Sequence, residues 1–226
     1  MIKIKNLYFT YNKSNPYTLN DINLNVEKGS YLSIIGENGS GKSTLMKLIL
    51  NLLKPTSGTI EISTKKIGYV PQIMDNFNSA FPLTVEEMLK SHMKALKIKD
   101  KGCIARSLSI VKMGNFKNQL IGSLSGGQRQ KIFIARAIMG VPELIVLDEP
   151  SSGIDVKSQA EIYSVIKDLN TAKKITILSV EHNMKAAIEN STHIFNIDKG
   201  QGYKSSIEDY INLNTEVLHN APTITS

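Results

Sequence analysis

A glycine-rich segment directly after an apolar run most constrains the fold of this 226-residue chain. Residues 31–35 read Tyr-Leu-Ser-Ile-Ile, and residues 36–44 read Gly-Glu-Asn-Gly-Ser-Gly-Lys-Ser-Thr. This is the spacing G-x-x-x-x-G-K-[ST], in which glycines let backbone N–H groups curl round phosphate oxygens and the lysine reaches them with its ammonium. Residues 45–53 are a good helix sequence, whose N-terminal dipole would face the same phosphates. The order of strand, loop and helix predicts a phosphate-binding loop.

The alternative is a tight glycine turn without a ligand, which the flanking strand and helix disfavour. We expect Lys42 to reach the β and γ oxygens of a nucleotide and the Ser43 hydroxyl to hold Mg²⁺. The residues expected to bind the nucleotide here are Gly36, Asn38, Gly39, Ser40, Gly41, Lys42, Ser43 and Thr44.

The composition narrows the class of protein. The hydrophobic content of 41% fits one large domain, or one core with a subdomain. With no leader-like start and no apolar run long enough to cross a bilayer, we expect a soluble, unexported protein. The single cysteine, Cys103, is expected to be inert. The net charge of +7 could suit polyanions or an anionic membrane, but a solvated lysine-rich face is the commoner cause, and we expect no nucleic-acid partner.

The hydrophobic pattern predicts an α/β fold in one domain, residues 1–226. Residues 2–10, 22–26 and 59–62 have β signals and are expected to form an antiparallel sheet beside the loop. From residue 84 to about 117 the spacing is helical, which predicts a helical insert. After it, strands alternate with helices, as in a parallel sheet covered on both faces. The predicted strands are 144–147, 175–180 and 194–197, and the predicted helices are 156–169 and 184–189. The core is expected to comprise residues 1–72 and 121–211, and the helical insert about 73–120. Residues 212–226 are expected to form a loosely docked or frayed tail.

Two acids follow the apolar residues 144–147. Asp148 and Glu149 would therefore lie at the carboxyl edge of a buried sheet, where ligands bind in open α/β folds. Asp148 is suited to hold Mg²⁺ beside Ser43, and Glu149 to act as the general base for water that attacks the γ-phosphate. The alternative is a strand that simply ends in solvated acids, which is less favoured beside a phosphate loop.

A second possible anion cradle lies between the loop and this strand. Residues 124–128 read Leu-Ser-Gly-Gly-Gln and precede a predicted helix over 129–139. This segment is suited to bind negative charge, because it combines the Ser125 hydroxyl, the glycines Gly126 and Gly127, Gln128 and a helix N-terminus. One nucleotide does not need two cradles on one chain, so we expect a two-fold dimer in which each Ser125 faces the partner's Lys42 loop.

With these motifs in this order, the chain resembles the ATP-binding subunit of the ATP-binding cassette (ABC) transporters over nearly its whole length. The resemblance implies a P-loop NTPase core and further site residues. By its pattern, Tyr11 stacks on adenine and Gln72 senses Mg²⁺ and the attacking water. Asp155 lies in the loop that crosses the dimer interface, and His182 contacts the γ-phosphate.

Two of these assignments have simpler alternatives. Tyr8 and Phe9 are nearby aromatics that could replace Tyr11. A histidine after an apolar strand is more often a surface residue, although its position after Asp148 favours His182. No such context surrounds His92, His193 and His219.

The resemblance also implies an ATPase that uses ATP and Mg²⁺, closes as a homodimer or paired cassette, and lies at the cytoplasmic face of the membrane on permease subunits. Residues 81–85 and 153–159, followed by Ile162 and Tyr163, are most similar to the ATPases of zinc and manganese importers. This implies import of a divalent metal with a solute-binding protein. Other solutes, an exporter, a soluble cassette ATPase acting on ribosomes or DNA, and a switch without turnover remain alternatives.

Overall fold

The computed structural model describes residues 1–12, 17–72 and 82–219, with side chains of the last segment up to residue 213. The strands are β1 Ile2–Phe9, β2 Leu19–Val26, β3 Tyr31–Ile35, β4 Ser57–Ile62, β5 Ile67–Val70, β6 Leu144–Asp148, β7 Thr176–Val180, β8 His193–Asp198 and β9 Gln201–Ser206. The α-helices are α1 Lys42–Ile49, α2 Val85–Ala95, α3 Cys103–Ile110, α4 Gly126–Ile138, α5 Val156–Thr171, α6 Met184–Asn190 and α7 Ile207–His219.

The central sheet has the strand order β5-β6-β7-β3-β8-β9. The pairs from β5 to β8 are parallel, and β9 adds an antiparallel edge. All five residues of β3 and of β7 are buried, as expected for parallel strands covered on both faces. Along β6, Ile145 and Leu147 pack into the cluster with α2 to α5, while Leu144 and Val146 pack towards α1. The predicted α/β fold is confirmed.

The N-terminal strands form a separate antiparallel sheet of order β2-β1-β4. The apolar side chains of β1 and β2 share one buried cluster with α1 and the central sheet. The predicted antiparallel sheet beside the loop is therefore present, with β2 beginning at Leu19, earlier than the predicted residue 22. This sheet covers the side of the core on which α1 lies.

Three elements were not predicted: β5, β9 and α7. Strand β5 is only four residues long and contains Gly68, whereas β9 is a polar edge strand, so neither has a strong apolar pattern. Lys199 and Gly200, both with positive φ, form the two-residue turn between β8 and β9, as hairpins of this length require. Helix α7 continues to His219, so the predicted tail boundary at residue 212 lies inside a helix. The rest of that tail, 220–226, lies outside the described residues.

The first described helix of the predicted helical insert, α2, begins at a well-formed helix cap. The Glu87 backbone N–H donates to Thr84 Oγ1 at 3.2 Å, and the Thr84 N–H donates to Glu87 Oε2 at 2.9 Å. This reciprocal capping box fixes the start of α2. The first part of the predicted insert, including Phe81, lies outside the described residues. None of the described helices is both long and apolar enough to cross a membrane.

We predict that Thr84→Ala lowers the free energy of unfolding by about 1 kcal/mol, because an α2 N–H loses its acceptor. Chemical denaturation measures the change. The matched control is Thr171→Ala near the end of α5, where the hydroxyl donates to the Lys167 carbonyl and caps no N-terminus. Equal losses in the two variants would show that the cap contributes nothing specific.

Candidate nucleotide-binding site

The glycine loop joins β3 to α1 and is closely enclosed. Gly36 has φ 149° and Gly41 has φ 110°, both in the region that favours glycine. A Cβ on Gly36 would lie 2.1 Å from the Ile197 carbonyl oxygen, and one on Gly41 would lie 2.6 Å from Leu19 Cδ2. The loop is thus wedged between β2 and β8, which fixes its path.

Lys42 folds back over this loop. Its Nζ donates to the carbonyl oxygens of Gly36 and Glu37, at 2.8 Å each. Burial lowers the pKa of Lys42, and the Glu149 charge opposes that shift. The buried Ser40 hydroxyl has no hydrogen-bond partner within the described parts of the chain. A loop with a buried cation and an unpaired hydroxyl fits an anionic phosphate.

A cavity of about 480 Å³ lies against the loop and brings in side chains from three other parts of the chain. These parts contribute Tyr11 and Thr18, then Glu149, and then His182. The lining residues are Tyr11, Thr18, Asn38, Gly39, Gly41, Lys42, Ser43, Thr44, Glu149 and His182.

Of the three aromatic candidates, Tyr11 alone combines an exposed ring with contact to the loop. Its side chain is 57% exposed, and its hydroxyl lies 3.1 Å from Thr44 Oγ1. Phe9 is buried in the core and packs edge-on against Tyr11, with ring centroids 4.9 Å apart. Tyr8 packs against Tyr17 instead. Tyr11 therefore remains the residue predicted to stack on adenine.

Glu149 lies between two other predicted site residues. Gln72 Nε2 donates to Glu149 Oε2 at 2.6 Å, and His182 Nε2 lies 2.6 Å from Glu149 Oε1. These residues follow β5, β6 and β7, whose parallel pairing places their carboxyl ends together. Glu149 has φ 48°, an uncommon left-handed conformation for a residue with a side chain. Its N–H donates to the Val180 carbonyl at 3.1 Å.

Asp148 is the other acid at this edge. Burial raises its pKa, as does the neighbouring Glu149 charge. Within the described residues there is no group of three or more His, Cys, Asp or Glu side chains suited to a metal ion. The oxygen donors predicted for Mg²⁺, in Ser43, Gln72 and Asp148, are of the type that this ion prefers.

The second predicted cradle is a helix cap in the single chain. Ser125 Oγ accepts from the Gln128 N–H at 3.2 Å, and Gln128 Oε1 accepts from the Ser125 N–H at 3.0 Å. A Cβ on Gly127 would lie 2.5 Å from Ser158 Cβ, so this glycine is needed for packing on α5, whereas Gly126 has room. Residues 125–128 do not line the cavity at Lys42. Asp155 likewise caps a helix, since its carboxylate accepts from the Ser158 N–H at 3.0 Å.

One group beside the site was missed by the sequence reasoning. Glu181 is 2% exposed and accepts from Ser179 Oγ at 2.6 Å and from the Tyr163 hydroxyl at 2.9 Å. The Tyr163 hydroxyl also lies 2.8 Å from Ser151 Oγ. Burial raises the pKa of Glu181 to about 7, against these hydrogen bonds, and the Glu149 charge adds to the rise. The signal was an acid directly before His182 at the end of an apolar strand.

Residues 19–152 match the family model described as ABC transporter. The chain belongs to this family. A "Probable metal transport system ATP-binding protein" of Treponema pallidum is 45% identical over 210 residues, covering 93% of this chain and 88% of the relative. The "Zinc uptake system ATP-binding protein ZurA" of Listeria innocua is 38% identical over 226 residues, covering 93% and 87%.

A solved structure gives the same result for the fold. The dimeric structure of an ATP-binding cassette in a post-hydrolysis state, bound to ADP and Pi, has a TM-score of 0.75 and 30% identity, covering 92% of this chain and 99% of that chain. The predicted membership of the ABC family and the predicted cassette fold are therefore confirmed, and the chain is an ABC ATPase.

We predict that the free energy of unfolding of Glu181→Gln increases relative to that of the native chain as pH rises from 5 to 8. The folded-state pKa of about 7 lies above the unfolded value of 4.5. Between these values the native state binds more protons than the unfolded state, so the contribution of Glu181 to stability falls as pH rises. Glutamine does not titrate. The difference in free energy of unfolding between the variant and the native chain is therefore expected to change by on the order of a few kcal/mol.

The measurement is guanidinium unfolding of both proteins at pH 5 and pH 8. The matched control is Glu61→Gln on β4, which is exposed. A Glu181→Gln difference that is the same at both pH values would contradict the prediction.

Proposed function

We propose that this ABC ATPase hydrolyses MgATP at the cavity over the Lys42 loop and powers import of a divalent metal ion, zinc or manganese. The observation that carries the hydrolytic part is the Glu149 carboxylate, which lines that cavity and is held between Gln72 and His182. The assignment of the metal rests on the two relatives, which are named as metal transport and zinc uptake proteins, and on the resemblance of residues 153–159 to zinc and manganese importers. No observation favours another solute, export, or a function away from the membrane.

In this proposal, the exposed Tyr11 ring carries the adenine, while the loop amides and Lys42 bind the phosphates. The nucleotide oxygens replace the Gly36 and Glu37 carbonyls as acceptors for Lys42, which relieves the desolvation of its ammonium. Ser43, Gln72 and Asp148 would hold Mg²⁺, whose charge would offset that of the phosphates.

Glu149 is proposed as the general base. In the structure both of its carboxylate oxygens are engaged, one with Gln72 and one with His182. A γ-phosphate offers His182 Nε2 another acceptor, which leaves Glu149 Oε1 open to the attacking water, and Gln72 keeps the carboxylate oriented. The water oxygen then bonds to the γ-phosphorus, its proton passes to Glu149, and the bond from that phosphorus to the bridging oxygen of ADP breaks.

We also propose a two-fold dimer. Residues 125–128 lie outside the lining of the Lys42 cavity, yet they present a helix N-terminus suited to phosphate. The solved cassette bound to ADP and Pi is dimeric, which supports a partner chain as the source of the second cradle. The Asp155 loop would lie at the interface, and ATP contacting both chains would stabilise the closed state.

The remaining partners are proposed to be permease subunits and a solute-binding protein, with this chain peripheral at the cytoplasmic face of the membrane. A groove of about 530 Å³ between β5, α2 and α4 is one place for a cytoplasmic helix of the permease, since the exposed Leu96 and the half-buried Tyr69 and Ile98 line it. In this proposal the transported ion is selected by those partners and not by this chain.

We predict that Glu149→Gln retains ATP binding, lowers turnover by about 10²- to 10⁴-fold and accumulates an ATP-bound dimer, because the base is lost while the binding residues remain. Phosphate release and size-exclusion chromatography with ATP measure these effects. The control is Glu161→Gln, an exposed α5 acid paired with Lys131, which should keep normal turnover. A Glu149→Gln variant that stays monomeric and active would refute the scheme.

We predict that a strain lacking this chain loses uptake of zinc, manganese or both, and that the native chain restores it whereas Glu149→Gln does not. Uptake of each labelled ion, measured with and without an excess of the other ion, identifies the transported metal. Unchanged uptake of both ions in the deletion strain would count against metal import while leaving the ATPase assignment intact.

A further inference from the structure

We infer that a buried hydrogen-bond network of Ser151, Tyr163, Ser179 and Glu181, called here the Glu181 network, positions Glu149 for hydrolysis by holding the turn that follows it. The inference rests on the proposed role of Glu149 as general base. None of the four residues lines the cavity at Lys42, and Ser151 and Glu181 line a second cavity together with Glu149 and His182. The inferred role is exerted through Glu149. All four residues are buried, with at most 6% exposed.

The backbone of Glu149 needs such support. A residue with a side chain at φ 48° is strained by roughly 1–3 kcal/mol, and such a conformation persists only where surrounding contacts over-determine it. The bonds within the turn itself are long: Ser152 N–H to the Glu149 carbonyl at 3.2 Å, and Ile154 N–H to the Ser151 carbonyl at 3.4 Å. The turn therefore depends on contacts from outside it.

Helix α5 supplies these contacts from two side chains one turn apart. The Tyr163 hydroxyl binds Ser151 Oγ at 2.8 Å. Gln159 Nε2 donates to the Ser151 carbonyl at 3.2 Å and to the Ile154 carbonyl at 2.7 Å. Tyr163 and Gln159 thus fix Ser151 by its side chain and its backbone, two residues after Glu149.

Glu181 fixes the direction of these bonds. When this carboxylate is ionised it only accepts, so Tyr163 donates its single proton to Glu181 Oε2 and can only accept from Ser151. On its other side, Ser179 donates to Glu181 Oε1, and the Glu181 N–H donates to the Ile34 carbonyl at 2.9 Å. Glu181 directly precedes His182. The network consequently ties the end of β7, which carries His182, to the turn that carries Glu149.

The test is steady-state ATP hydrolysis by Tyr163→Phe, which removes one hydroxyl and keeps the ring. We expect kcat to fall by about 10- to 100-fold, the effect of a misplaced catalytic group. We expect KM for ATP to change by less than about two-fold, because the binding residues are untouched. Ser151→Ala removes the other partner of the same bond and is expected to act in the same direction. Tyr203→Phe, on the exposed β8–β9 hairpin, is the matched control and should keep native kcat.

Two further variants separate positioning from general stabilisation. Glu181→Gln keeps an oxygen that accepts from Tyr163 and should retain kcat within about three-fold, whereas Glu181→Leu should lose as much as Tyr163→Phe. In the Glu149→Gln background, Tyr163→Phe should cause no further loss of the residual rate, since both changes act on one group.

The inference would be overturned by a native kcat in Tyr163→Phe or by a rise in KM as large as the fall in kcat. It would also be overturned if Tyr163→Phe lowered the residual rate of Glu149→Gln by as much as it lowers the native rate. Failure of the proposed function gives a different result, namely native turnover in Glu149→Gln itself. If Glu149→Gln is inactive and Tyr163→Phe is fully active, only the positioning role is refuted.

Discussion

The parallel pairing of β5, β6, β7 and β3 is the constraint on which the rest of this cassette depends. Parallel strands end at the same edge of the sheet. Asp148 pairs with Val180, so Glu149 follows this pair by one residue after β6 and His182 follows it by two residues after β7. Because β3, β6 and β7 are buried on both faces, polar side chains that can reach a ligand are confined to the ends of these strands. The site residues therefore come together directly after the strands that carry them. They are the glycine loop after β3, Gln72 after β5, Glu149 after β6 and His182 after β7.

Desolvation gives this edge its chemical character. Burial lowers the pKa of Lys42 and raises the pKa values of Asp148 and Glu181, so the protein alone holds ionisable groups whose charged forms are poorly stabilised. Phosphate oxygens and a bound Mg²⁺ would supply the missing opposite charges for Lys42 and Asp148. Glu181 receives no such compensation and depends on two hydroxyl donors instead. The first two groups are thus suited to a ligand, and the third to a fixed internal structure.

The sequence predicted what is encoded locally. The loop at residues 36–44 and the acids after β6 are contiguous motifs, and the pattern of buried strands indicated the sheet. Tyr11, Gln72 and His182 required the family resemblance, because each is an ordinary residue whose position only the fold reveals. Strand β9 and helix α7 were missed because a polar edge strand and a weakly periodic helix are stabilised by tertiary contacts. The Glu181 network was missed because its bonds join residues far apart in sequence, and because the left-handed conformation of Glu149 has no sequence signal.

The contacts of Glu149 link nucleotide binding to the readiness for hydrolysis. With Gln72 and His182 each bonded to one carboxylate oxygen, the proposed base has only its remaining lone pairs open to a water proton. The γ-phosphate is the group that His182 is proposed to bind, so the substrate itself would release the base. The cradle at Ser125 adds a second condition, since it is absent from the cavity of its own chain. In this scheme a cassette without nucleotide or partner leaves water unactivated, and occupation of the cavity by ATP within a dimer removes both restrictions.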